Sequence, residues 1–196
     1  MTTTTELDLG PAAVELARVV AAVRDDQLTA PTPCAETSLA ALLDHVLGLA
    51  LAFTRAAQKR PFPAPPVGVA DRLPGDWRRR IPAQLDELVA AWREAPAWEG
   101  EAEAGGVTMP APLMARVALD ELVVHGWDVA AAVGVRCRPD PASVQVCLEF
   151  VGDRSGAPAV PGLFGPAIAV APGAPALDRL LGQTGRDPRW TPPVSG

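Results

Sequence analysis

This chain has only two histidines, so any imidazole chemistry must run through His45, His125 or both. His125 lies in Asp120-Glu-Leu-Val-Val-His-Gly-Trp-Asp128, four residues after Glu121. On a helix that spacing sets the carboxylate and the imidazole about 40° apart around the axis, on one stripe. Ala118, Val129 and Ala132 share the stripe, so it is expected to face an interior. His45 is bracketed by Leu42, Val46 and Leu49 and falls on an apolar stripe of its own. A carboxylate in an apolar place needs a partner, a proton or a metal. Two such stripes packed side by side would bring His45, Glu121 and His125 around one cation. Imidazole and carboxylate ligands suit Zn²⁺, Ni²⁺ or Fe²⁺, and three protein ligands leave a coordination position for chemistry.

A plainer reading stands beside this one. A Glu and a His four apart form a common helical pair worth a few tenths of a kcal/mol, and a single buried histidine is more often a core or capping residue than a ligand. Glu-x₃-His is a weaker signal than HExxH. Among smaller candidates, Asp128 is placed to accept a hydrogen bond from the free ring nitrogen of His125. Asp44 points about 100° away from His45 and reads as solvated. Trp127 reads as core. Arg136 and Arg138 read as solubilising charge at a helix C-terminus, with anion binding as the alternative. Cys34, just ahead of a helix, keeps a role as a reactive thiol in view. Tyrosine is absent and Lys59 is the one lysine, which removes most phenolic and Schiff-base options. No P-loop, GxGxxG or GxSxG motif supports nucleotide binding or α/β-hydrolase chemistry.

The elements that must position these residues follow from periodicity. A first helix is expected from about Gly10 to Asp26, with Val14, Leu16, Val19, Val20 and Val23 inward. Pro31 and Pro33 mark a loop. Thr37 or Ser38 would cap a second helix running to about Gln58. The proline-rich stretch from Pro61 to Pro74 is suited to a long crossover. A third helix is expected over Asp76–Glu94, with Pro82 in its first turns. An acidic, glycine-bearing connection over 96–109 suits a short hairpin. A fourth helix, about Pro112–Val133, would stop at Gly134. Beyond it come short helices over Val144–Phe150 and Ala176–Leu181, with an extended segment from Phe164 to Val170 between them. The fold class expected is all-α: a four-helix bundle over 1–138 with a small C-terminal extension, 139–196, packed on it.

With 196 residues, 48% hydrophobic and 20% charged, the chain can build a core without disulfide staples. The formal charge of −6 argues against nucleic acid and anionic membranes as partners. The longest uncharged apolar run, Val46–Phe53, is too short to span a bilayer. The first residues lack the basic and apolar regions of a secretory signal. Cys34, Cys137 and Cys147 fit neither a disulfide framework nor a metal knuckle and are expected to be reduced thiols in the cytoplasm.

Thr32-Pro-Cys34 followed by Leu39-Ala-Ala-Leu-Leu-Asp-His45-Val-Leu-Gly48 resembles the first signature of the mycothiol-dependent maleylpyruvate isomerase-like proteins, a group of the DinB-like metal-binding superfamily. Asp120-Glu121-Leu-Val-Val-His125-Gly-Trp-Asp-Val-Ala resembles their second. Phe164-Gly-Pro166 and the run from Ala176 to Pro188 resemble the C-terminal part of an actinobacterial branch. The resemblance implies a DinB-like bundle with one divalent metal, usually zinc, on the positions of His45, Glu121 and His125. It also implies mycothiol as a cosubstrate. The group usually carries a tryptophan where this chain has Thr37, so either the packing at the start of the second helix or the mouth of the site is expected to differ.

The function expected from this resemblance is a metal-dependent enzyme using a low-molecular-weight thiol for S-transfer to, or isomerisation of, a small electrophile. Hydrolase or lyase chemistry with water at the metal is one alternative. A non-catalytic, metal-containing ligand-binding bundle is another. The expected partners are the thiol and a small-molecule substrate, with the chain a monomer or homodimer.

Overall fold

The protein is described here from a computed structural model covering residues 7–34, 36–60, 68–160 and 163–193. Most of the polar leader, the first half of the proline-rich stretch and the last three residues lie outside the described residues.

Six helices and one two-stranded hairpin make up the regular structure of the described residues: α1 (Gly10–Ala21), α2 (Leu39–Ala57), α3 (Trp77–Trp92), β1 (Glu101–Ala104), β2 (Val107–Pro110), α4 (Ala111–Val133), α5 (Pro141–Val151) and α6 (Ala176–Gln183). The fold is all-α apart from that hairpin, as the periodicity implied.

The first four helices form the bundle. α2 lies between α3 and α4, and α1 lies between the same two helices on the other side. This order makes α2 and α4 neighbours although α3 separates them in sequence, and it brings the two histidine-bearing stripes together.

Some boundaries agree with expectation and others depart from it for identifiable reasons. α1 ends at Ala21, and a 3₁₀ turn over Asp25–Gln27 takes up the rest of its expected length. Val14 is 70% exposed rather than inward; Ala12, Ala13, Leu16, Val19 and Val20 form the buried face. Ser38, not Thr37, caps α2 by accepting a hydrogen bond from the Ala41 N–H. α5 begins three residues before the expected Val144 because Asp140 caps it, accepting from the Ser143 N–H, with Pro141 in its first turn. The expected extended segment from Phe164 forms no strand: it makes an isolated bridge, Val160 to Phe164, and its Gly165 and Ile168 N–H groups donate to the Thr184 and Gly182 carbonyls. α4 stops at Gly134, whose φ is 74°.

By length and composition α2 is apolar enough to cross a bilayer, more so than the run Val46–Phe53 alone suggested. Its apolar residues are instead buried against α3 and α4, as suits the central helix of a bundle. The core runs through Leu16 and Val19 of α1, Leu39, Leu42 and Leu43 of α2, Ile81, Leu85 and Leu88 of α3, and Ala115, Ala118 and Leu119 of α4. The apolar side chains Trp77, Ile81, Leu85, Leu88, Val89 and Trp92 of α3 are all buried. The hairpin pairs Glu101 with Pro110 and Ala104 with Val107, and it packs on α2 and α4 beside this core.

Candidate metal centre and its cavity

One stripe of α4 carries Met114, Val117, Glu121, His125 and Asp128, apolar at its start and polar toward its end. The facing stripe of α2 carries Leu42, His45, Leu49 and Phe53. At the crossing His45, Glu121 and His125 each offer a ligand atom, and these atoms lie within 4.8 Å of one another. Glu121 Oε2 is 2.9 Å from His125 Nε2 and 4.0 Å from His45 Nε2. The two imidazoles stand edge to face, their centroids 5.0 Å apart and their planes at 89°.

Behind His125 the arrangement is closed. Its Nδ1 is 3.0 Å from Asp128 Oδ2. The same oxygen accepts from Arg186 Nη2 at 3.2 Å, and Arg186 Nη1 donates to the Thr184 carbonyl at 2.9 Å. Asp128 is fully buried and Arg186 nearly so. Gly185, at φ 86°, approaches Gly165 so closely that a Cβ would lie 2.6 Å from the Gly165 Cα. That contact, which only a glycine allows, seats Arg186 against α4.

Burial alone would raise the Asp128 pKa, but the Arg186 charge and the His125 hydrogen bond hold it below the usual carboxylate range. Burial likewise opposes the charge of Glu121, and the His125 hydrogen bond overcomes it and keeps the pKa low. For His125 burial would lower the pKa, yet Asp128 and Glu121 on its two nitrogens push it up to about 10. Asp120 lies about 100° round the helix from Glu121. Burial first, then the Glu121 charge, raise its pKa to about 8. Its Oδ1 has no hydrogen-bond partner among the described residues.

The donor set fits a divalent cation. Two carboxylates flank one imidazole, so the local field favours positive charge, and Arg186, which acts most strongly on Asp128 and more weakly on Glu121, offsets part of it. The contact of Nδ1 with Asp128 leaves Nε2 facing Glu121 and His45, the disposition a ligating histidine needs. Tetrahedral ligation with bonds of about 2.0–2.1 Å would place ligand atoms roughly 3.4 Å apart. Modest side-chain shifts reach that spacing.

The site opens into a cavity of about 630 Å³. His45, Glu121, Cys34 and Thr37 line its polar end, and Leu49, Phe53, Met109, Met114 and Val117 line the rest. The hairpin closes one side through Ala104, Gly105 and Val107. Gly68 lies directly on α2, where an added Cβ would overlap the Ala41 carbonyl oxygen and come within 2.8 Å of His45 Cβ.

The structure thus brings together His45, Glu121, His125 and Asp128, and it places Cys34 on the same cavity. One smaller expectation fails. Asp44 is not simply solvated: it accepts a hydrogen bond from the Val69 N–H at 2.9 Å and pairs with Arg72, so it ties the crossover to α2. Arg136 and Arg138 are exposed and do not line the cavity, in keeping with solubilising charge rather than anion binding there. The Arg136 carbonyl accepts from Arg18, and the Arg138 N–H donates to Glu15, both on α1. Trp127 is buried, as expected. Arg186 was missed. Its one sequence signal was a basic residue directly after Thr184-Gly185 in a turn-forming run, 58 positions from Asp128.

Residues 9–130 match the family model described as the mycothiol maleylpyruvate isomerase N-terminal domain. Two relatives from strains of Mycobacterium tuberculosis, the uncharacterised proteins MT0763 and Rv0738, are each 31% identical over 136 residues, covering 64% of this chain. The match spans 65% of the length of each relative. The crystal structure of the mycothiol-dependent maleylpyruvate isomerase shares the fold at a TM-score of 0.53 and 19% identity, covering 77% of this chain and 70% of that one.

Proposed function

The chain belongs to the mycothiol maleylpyruvate isomerase N-terminal domain family, and from that premise we propose that it is a metal-dependent enzyme in which a low-molecular-weight thiol of the mycothiol kind attacks a small electrophile. The observation that carries this reading is the meeting of the His45, Glu121 and His125 ligand atoms within 4.8 Å at the polar end of a large cavity. These three residues would hold the cation, zinc being the ion best suited to the set. When bound, such a cation lowers the pKa of a coordinated thiol and keeps it as thiolate at neutral pH.

The chain's own residues supply the rest. Asp128 orients the His125 ring, and Arg186 keeps Asp128 ionised at no exposure to water. The hairpin and Phe53 keep the cavity apolar beside the site, and weak solvation leaves a thiolate more nucleophilic. Addition of the thiolate to an activated double bond forms one C–S bond and frees the former double bond to rotate. Expulsion of the same thiolate then gives the isomer. If the adduct instead takes up a proton and leaves, the outcome is S-transfer. This use of a small thiol fits a cytoplasmic setting, in which Cys34, Cys137 and Cys147 stay reduced.

The test joins elemental analysis with turnover. Purified protein is assayed with mycothiol and a panel of electrophiles, with and without chelator, beside His125→Ala. The expected result is thiol-dependent, chelator-sensitive consumption and loss of stoichiometric metal in the variant alone. Turnover that ignores either the thiol or the chelator would overturn the proposal.

A further inference from the structure

We propose that the cavity between α2 and α4 selects an uncharged, apolar electrophile and rejects dicarboxylates. The inference rests on the reading of this site as thiol-dependent and narrows its substrate class.

Its basis is the separation of polar and apolar groups along the two stripes. From His45 to Phe53 is eight residues of α2, about 12 Å of helix. Over that length the lining changes from imidazole, carboxylate, thiol and hydroxyl to Leu49, Phe53, Met114 and Val117. No lysine or arginine lines the cavity among the described residues. None of the residues outside the description is lysine or arginine either.

Three guanidinium groups outside the lining are already engaged: Arg186 with Asp128, Arg72 with Asp44, and Arg154 with the carbonyls of Gln183 and Pro158. The rim is also apolar, since Val107 and Val160 line the cavity while remaining 54% and 42% exposed. A carboxylate seated against Leu49, Phe53, Met114 and Val117 would leave water for a stretch of wall with no lysine or arginine beside it, which disfavours it. A hydrocarbon or aryl group gains by the same transfer. The volume suits a molecule of ordinary drug-like size or smaller.

The experiment measures binding rather than turnover, so it can fail separately from the proposed activity. The whole protein, with and without EDTA, is titrated with benzylideneacetone, a neutral enone, and with maleate, a dianionic electrophile. Binding is followed by calorimetry or ligand-observed NMR. Benzylideneacetone is expected to bind in both conditions, and in EDTA to bind at least tenfold more tightly than maleate. Leu49→Glu should weaken the enone at least tenfold. If that chain does not fold, Met109→Glu on the hairpin provides the same measurement. Equal or tighter binding of maleate in EDTA overturns the inference, as does unchanged enone binding in a folded variant. Enone binding without any thiol-dependent turnover would keep the cavity assignment and reject the reaction.

Discussion

The two nitrogens of the His125 imidazole face different kinds of environment. On the Nδ1 side stand Asp128, with a side-chain exposure of 0%, and Arg186, at 10%, joined through one carboxylate oxygen and anchored to the Thr184 carbonyl. On the Nε2 side stand Glu121, at 13%, and His45, at 25%, with the cavity beyond them. The first environment is fixed by contacts between elements far apart in sequence. The second comes from two neighbouring helices and is reached from outside. One side is therefore closed around its charges and the other is open to the cavity, and substitutions should divide the same way.

The largest effect is expected on the closed side. Arg186→Met leaves the Asp128 carboxylate buried without its guanidinium, a type of change that costs about 3–5 kcal/mol. Urea denaturation of the metal-free protein measures it. His45→Ala is the matching change on the open side: metal content should fall well below stoichiometric, while metal-free stability changes by about 1 kcal/mol or less. If Arg186→Met proves as stable as the parent chain, the distinction between the two sides fails.

Asp128→Asn sharpens the comparison because the residue joins the closed side to the His125 ring. An amide keeps the shape but weakens the hold on His125 Nδ1–H. Outer partners of ligating histidines typically contribute about 10–100-fold in metal affinity. Competition against a chromophoric chelator should show a loss in that range, smaller than the loss in His45→Ala. An unchanged affinity would mean that Asp128 serves Arg186 alone.

The same division separates what the sequence discloses from what it conceals. Glu121 and His125 share a helix turn, and apolar neighbours mark both His45 and His125 as inward, so the open side can be read from periodicity. The four bundle helices are legible for the same reason. Arg186 is not, because its meeting with Asp128 depends on how residues 152–185 return to α4, and no local pattern encodes that path. Asp44 was misread because its partner, the Val69 N–H, belongs to a proline-rich connection whose course periodicity does not give. Val14 fits the apolar period of α1 only loosely, and at its helix angle the alanines Ala12 and Ala13 take the buried face.

A chemical probe tests the exposure of the two sides more gently. Cys34 is half-buried on the cavity wall. Burial, followed by the Glu15 charge, pushes the Cys137 thiol up to about 12, and burial raises Cys147 further still. Alkylation of the native protein with iodoacetamide near pH 8 should therefore label Cys34 first, and benzylideneacetone in the cavity should slow it. Mass spectrometry of timed samples reads both. Faster labelling of Cys147 would show that the region around α5 opens more readily than the closed side requires.

The smallest expected effect lies away from both sides and serves as their control. Glu15 of α1 accepts two hydrogen bonds from Arg18 at 2.7 Å and one from the Arg138 N–H, tying α1 to the chain just after α4. The Arg18 hydrogen bonds, acting against partial burial and aided by the Arg138 N–H, hold its pKa below the ordinary 4.5. A carboxylate with a lowered folded-state pKa contributes its full stability above the unfolded value. The contribution is lost as pH falls from about 4.5 through the folded value. Arg18 is 45% exposed, so solvent screening limits the gain to under about 1 kcal/mol. Glu15→Gln should thus be slightly less stable than the parent at neutral pH, with the gap closing as the solution is acidified below pH 4. Metal content should not change at any pH where the parent retains it. A shift in metal affinity in this variant would mean that the outer face of α1 communicates with the site through α4, and the separation between closed and open regions would then not be local.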